Sequence, residues 1–535
     1  MPTSFGPRTL DIAGLRRSRG LETEPPLSLL RDASRQRDPL YYFVWGLLVA
    51  SLPFTDLSLV KQAKSFGQPS TFLVALLWVL LLPEISKRSF WSLLGVRTVQ
   101  LLILFWVICG ASVFLSSQAP SAQWLNTSPW SKSLRQFLQL STDVSVAVFT
   151  VHFVRSWKDF RRTMNWYFLG FSLSFLAGVV ELADGYLRSD WAARLTELLH
   201  TFGPRQYMAS GFRLQLLAYE PSMAADYLLH VIPFFVLAAY SWRRRVWSFL
   251  ASAVSVLMFL GTFSLGGTIA LLGQVGTAAL IVKRRHLAAF ALSLTLSTLV
   301  IFAINPDPLA WMVDRARGVM TWGRDTEEFS ARDRAAKAES AWNTFREHPW
   351  VGVGIGESMF YLPGSYPAWA ARQSDLLGQM RSDDEGAYAV GNFFILVFSE
   401  TGIVGGAAFI ALLAALWGGC YRALKRAANP AQKKACAAVL VVLVGQFIHY
   451  FALSQLSFRY WFFIWGLAIF LARPGVVFEP PPPARLRSFA IRTNYQGGRI
   501  RFVRASLKKW PTSMRILRLQ GSTKPSCPKV EAGAR

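Results

Sequence analysis

The sequence predicts an all-α, polytopic integral membrane protein with about twelve transmembrane helices. Three observations lead there. Of the 535 residues 52% are hydrophobic and only 16% are charged. The apolar residues gather in blocks of about 17 to 25, the length that crosses a bilayer as a helix. Lysine and arginine crowd into alternate connecting segments, as they do in loops retained on the cytoplasmic side.

The blocks run over residues 39–55, 68–84, 98–116, 139–154, 164–182, 223–240, 246–263, 265–282, 286–304, 389–417, 435–453 and 459–473. The chain then divides into a cytoplasmic lead-in over 1–38, spans 1–9 over 39–304, a large periplasmic loop over 305–388, spans 10–12 over 389–473 and a basic cytoplasmic tail over 474–535. Basic clusters such as Arg155, Lys158, Arg161 and Arg162, or Arg422, Lys425 and Arg426, set the orientation. Both termini fall in the cytoplasm of a multi-pass protein of a bacterial inner membrane, and segments 185–222 and 305–388 face outward. The lead-in is polar and reads as disordered rather than as a signal peptide, so the first span is an uncleaved anchor.

The net charge of +26 is spread through the cytoplasmic loops and the tail. Orientation and anionic lipid account for it, and no nucleic-acid partner is expected. The four cysteines fall in spans or on the cytoplasmic side and make no metal-ligand spacing, so neither disulfides, metal nor cofactor is expected.

In chain order, the first four spans read as scaffold, and Asp143, Glu181 and Asp184 at span ends are expected to reach interfacial water. The outer loop that follows brings Arg205, Arg213 and Glu220 to the outer face, with Pro221 opening the sixth span. Guanidinium groups there ask for an anionic partner, since their fork grips phosphate oxygens through paired hydrogen bonds; the alternative is that Arg213 pairs with Glu220 or with headgroups. Asp226 and His230 share a helix face one turn apart, fit for a proton relay or for solvation. The turn GTFSLGGT lets its two flanking helices pack closely.

The large loop carries Arg332 and Arg334 into an amphipathic helix with a Ser330–Asp333 capping box and an apolar stripe of Ala335, Ala338, Trp342 and Phe345. Pro349 ends it. Gly352, Gly354 and Gly356 then permit positive φ and a close approach to another group. Glu400, well inside the tenth span, is either a functional ionisable group or, as favoured here, the acceptor of a structural hydrogen bond to a neighbouring helix. The basic tail beyond Pro480–Pro483 can lie on an anionic leaflet or bind a partner.

These residues resemble the O-antigen ligase and O-antigen polymerase superfamily, membrane enzymes of class C glycosyltransferase type. Arg334 followed by Pro349 and the three glycines matches that family's outer loop, and Arg213 stands eight residues before Pro221 as its counterpart does. Asn392, Gly402 and Gly405 match the ligase signature, but its histidine is Gly391 here. Leu265 replaces an arginine and Leu216 a glycine of the usual pattern. The resemblance implies transfer of a glycan from undecaprenyl diphosphate to a lipid or glycan acceptor on the periplasmic face, in lipopolysaccharide or exopolysaccharide biosynthesis, without a metal. Catalytic roles then fall on Arg213 and Arg334 at the diphosphate, with His348 or Glu220, or Asp384 or Glu385, as the base in place of the missing histidine. Arg205, Arg332, Gly352, Gly354, Gly356 and Asn392 would line the substrate site. A transporter or flippase, or a non-catalytic assembly subunit, is the alternative.

Overall fold

The structure, a computed structural model, describes residues 39–60, 66–86, 88–120, 127–187, 189–201, 213–238, 245–281, 284–304, 329–372, 389–452 and 458–473. Arg205, Asp384, Glu385, the lead-in and the tail lie outside them. The described regular structure is all helix, and it belongs to the unit Met1–Glu479.

Each apolar block forms a helix: α1 Pro39–Ser51, α2 Pro69–Ile85, α3 Arg97–Ser112, α4 Pro129–Phe153, α5 Trp157–Leu187, then α6 Asp190–Thr201, α7 Pro221–Ala238, α8 Arg245–Gly261, α9 Leu265–Ile281 and α10 Arg284–Ile304. The helix predicted in the large loop is α11 Phe329–Glu347, followed by α12 Phe393–Arg426, α13 Pro430–His449 and α14 Arg459–Ala472. Local chemistry fixes several starts. Proline occupies the first turn of α2, α4 and α13, where its missing N–H would have had no partner. Ser128 and Asn429 cap α4 and α13 through their side chains.

Among the described residues, four helical segments, Arg97–Leu115, Trp157–Gly185, Phe393–Arg426 and Pro430–His449, are long and apolar enough to cross a membrane. Seven further apolar helices are shorter, 10–17 residues.

The short last span is the most enclosed helix: every residue from Arg459 to Leu471 is buried, against α4, α12 and α13. A helix apolar on all sides belongs at the centre of a bundle. Around it α12 packs on α3, α11 and α13, while α7 packs on α8 and α13.

Three expectations are corrected. Asp143 and Glu181 do not reach interfacial water: both are buried, Asp143 beside the Arg459 guanidinium at 3.6 Å and Glu181 on two backbone amides. The 261–267 turn gives α8 and α9 only a limited contact, Phe259 of α8 lying 3.3 Å from a Cβ placed on Gly267 of α9. Instead α8 packs on α7 and α10 and α9 on α13; Gly261 makes room for Leu214, and Gly266 for Ala452 and His449. Finally, the buried face of α11 is not the aromatic stripe. Ala336, Lys337, Ser340, Ala341 and Thr344 are buried, whereas Trp342 is 45% exposed. The small face wins because its hydroxyls satisfy loop carbonyls, Ser340 Oγ donating to Leu362 O at 2.7 Å. Ser330 lies inside the helix, and Asp333 reaches forward to Lys337 Nζ at 2.6 Å rather than back to a cap.

Candidate functional site

The glycine turn after α11 is built as the sequence requires, with φ of +69° at Gly352, +110° at Gly354 and +78° at Gly356. Only glycine takes such angles without strain. What the turn approaches is another piece of backbone. Helix α12 is broken at Gly402, whose φ is +63°, and the turn inserts into the break. Val353 N donates to Ser399 O at 3.0 Å and Gly354 N to Glu400 O at 2.9 Å. In return Ile403 N donates to Pro349 O at 2.8 Å and Val404 N to Trp350 O at 3.2 Å. The break therefore leaves these carbonyls and amides satisfied inside the protein, the condition for irregular backbone at membrane depth. A Cβ on Gly352 would lie 2.4 Å from the Glu400 carbonyl carbon, and one on Gly402 2.3 Å from that of Trp350.

Side chains lock the same junction. Ser358 Oγ donates to Glu400 Oε1 at 2.9 Å, the structural role expected of Glu400. Ser112 Oγ accepts from Ile355 N at 3.1 Å, and the Ser133 hydroxyl donates to Ile355 O, so the turn is clasped by α3 and α4 as well. Glu357 is buried here with neither carboxylate oxygen in a well-formed hydrogen bond. Burial raises its pKa to about 7, opposed by the nearby Ser133 hydroxyl, with Glu400 adding to the rise and Lys132 opposing it.

Asn392 is the N-cap of α12, its Oδ1 accepting from Ile395 N at 3.1 Å. Beside it, Gly391 is covered by Arg334: a Cβ at 391 would sit 2.9 Å from Arg334 Cγ and 3.0 Å from its Cβ. The arginine stem occupies the place that a side chain at 391 would take, so Gly391 and the position of Arg334 are one feature. Arg334 itself is exposed; Arg332 is half-buried on the same helix. His348, exposed at the end of α11, presents its ring edge-on to Tyr361 at 5.4 Å between centroids.

The second stretch is held differently. Arg213 is half-buried, its Nε donating to Thr262 O at 3.0 Å, and Leu214 N donates to Gly261 O at 2.9 Å. Glu220 Oε2 accepts from Ser222 Oγ at 3.3 Å. Between them Leu216 and Leu217 adopt φ of +56° and +65°, a costly conformation for leucine. Leu216 stands where the glycine of the family pattern would be. The strain is held by a buried cluster that sequence reading missed. Glu181 Oε2 accepts from Gln215 N at 2.7 Å and Glu181 Oε1 from Leu216 N at 3.0 Å; His200 bridges Glu181 at 3.4 Å and Asp56 at 3.2 Å; Asp56 N donates to Leu217 O at 3.1 Å. Burial disfavours the His200 charge, but the two carboxylates outweigh it and hold its pKa up at about 9.

Both stretches lie at the same end of the bundle, joined through Gly266 against Ala452 and Phe393 N on Tyr450 O at 2.8 Å. Below them, Asp226 and His230 are fully buried, not solvated. Their side chains do not pair: His230 Nδ1 meets the Asp226 carbonyl at 2.7 Å, while the Asp226 carboxylate bonds His449 Nδ1 at 2.7 Å and Trp461 Nε1 at 2.5 Å. No local signal could have found His449, which lies in another helix 223 residues away. Among the described residues no cluster of histidine, cysteine and carboxylate side chains could hold a metal.

Fold and composition thus define a helical protein of integral-membrane type. Residues 250–410 match the family model described as O-antigen ligase, which supports the resemblance to the O-antigen ligase and polymerase superfamily over that part of the chain. The match supports, in general, a membrane glycosyltransferase of ligase or polymerase type acting on lipid-linked glycans. It contains the glycine turn, Arg334, Gly391 and the broken start of α12, and leaves Arg213 outside. A search of curated proteins finds no match.

Proposed function

We propose that this protein transfers a glycan from undecaprenyl diphosphate to a lipid or glycan acceptor at the periplasmic face of a bacterial inner membrane, with twelve helices crossing and both termini cytoplasmic. One observation carries the reading most: the turn and the broken helix, locked by paired backbone hydrogen bonds, hold Arg334 over Gly391 at the loop-bearing end of the bundle. That end lies opposite the basic segments around Arg155 and Arg97, in keeping with an outward-facing site.

In this reaction an acceptor hydroxyl oxygen attacks the anomeric carbon as the bond to the diphosphate breaks, inverting the centre. Charge builds on the departing phosphate oxygens, where Arg213 and Arg334, with Arg332 and Arg205 in support, stabilise it. The hydroxyl proton goes to a base. His348 fits best, because its imidazole is exposed and makes no hydrogen bond among the described residues; Glu220 is the other choice. The test is turnover of a lipid-linked glycan by purified protein. Arg334→Ala and Arg213→Ala should each lower kcat/KM by about 10²–10³-fold, as loss of a transition-state donor does. Undiminished turnover in both variants refutes the site, and carrier-linked glycan that crosses the bilayer unchanged indicates a flippase instead.

A further inference from the structure

At the end of the bundle away from the glycine turn, α1 and α5 form a cavity of about 330 Å³ lined by Tyr42, Phe43, Trp45, Arg162, Thr163, Asn165 and Trp166. Its floor is fixed: Trp45 Nε1 donates to Thr163 Oγ1 at 3.2 Å, both buried, and Trp166 lies across Gly46, where a Cβ would fall 2.3 Å from its ring. Its rim is cationic and polar. Lys158, Arg162 and Asn165 recur at helical spacing along one exposed face of α5, and none of the three has a hydrogen bond or ion pair among the described residues. The neighbouring carboxylate makes no ion pair with them among the described residues. Asp159 is engaged by Tyr42 Oη at 3.1 Å and by the Ser156 N–H and hydroxyl at 3.1 and 2.8 Å, in the capping box that starts α5.

We propose that this cavity binds the phosphate headgroup of an anionic phospholipid of the adjoining leaflet. Arg162 grips the phosphate oxygens, Asn165 donates to the same group, Lys158 adds charge from one turn away, and Tyr42 and Trp166 form the amphipathic walls that suit the headgroup level. The site is independent of glycan transfer at the opposite end and stands or falls apart from it.

The test is native mass spectrometry of the full chain released from mixed micelles holding equal phosphatidylglycerol and phosphatidylcholine, for wild type, R162A and R161A. Wild type should retain phosphatidylglycerol in preference to phosphatidylcholine. R162A should lower that retention about five-fold, the factor expected for one basic side chain near an anionic surface. R161A, outside the cavity, should leave it unchanged. Equal retention of the two lipids by wild type, no change in R162A, or an equal loss in R161A overturns the assignment. Displacement of the bound lipid by millimolar inorganic phosphate would overturn the lipid as source, leaving a free-phosphate site.

Discussion

Two segments at one end of this molecule meet the same backbone demand by opposite means. The turn at 352–356 and the break at 402 adopt positive φ on glycine, and bury their polar backbone against each other. The segment at 216–217 adopts positive φ on leucine, and needs Glu181, His200 and Asp56 to hold it. The first design is encoded locally and cannot tolerate a side chain. The second keeps a leucine because its side chain is used, filling the space left open at Gly178, where a Cβ would lie 2.0 Å from Leu216 Cδ2. An arginine proposed for the diphosphate is carried near each segment, so the two designs give the two halves of the site different sensitivities.

The comparison is broken most severely at the glycine junction. Gly402→Ala adds a Cβ within 2.3 Å of backbone at a positive φ, so the loop must leave the helix. A loss of about 4 kcal/mol or more is expected, read as failure to accumulate or a large drop in thermal stability in detergent. Next comes Glu181→Gln, which leaves His200 with one carboxylate and weakens the hold on the Gln215 and Leu216 amides. It should destabilise by about 2–3 kcal/mol, and, if Arg213 acts as proposed, raise KM for the lipid-linked donor more than Gly178 or Leu216 changes do.

The two segments should also differ in their response to pH. His200 has its folded pKa raised from 6.5 to about 9, so its contribution to stability is fully present below pH 6.5 and is lost as pH rises through 9. Glu357 has its pKa raised from 4.5 to about 7, so its contribution is complete below pH 4.5 and fades as pH rises to 7. Thermal melts across pH should therefore show two descending steps. His200→Ala should flatten the upper one and Glu357→Gln the lower one; an unchanged profile in either variant counts against the corresponding cluster.

The smallest effect tests the leucine design itself. Gly178→Ala alone clashes with Leu216, whereas in a Leu216→Gly background the added methyl partly refills the void. A double-mutant cycle should give a coupling of about 1–2 kcal/mol; additivity would mean that the two positions do not share the space.

The sequence by itself determined that its apolar blocks form helices, several of their proline and asparagine starts, the left-handed glycines of the 352–356 turn and the family model that residues 250–410 match. All of these depend on neighbours within a turn or two along the chain, where composition and spacing act directly. Tertiary structure alone decided that small residues rather than Trp342 face the core of α11, that Glu181 answers to His200 and two loop amides, that Asp226 pairs with His449, and that the stem of Arg334 fills the place beside Gly391. Each of those outcomes is the satisfaction of a buried polar group, or the filling of a gap, by a partner from a distant part of the chain. Which partner arrives depends on how the helices pack, because a group buried away from water must find its hydrogen bonds wherever the fold supplies them.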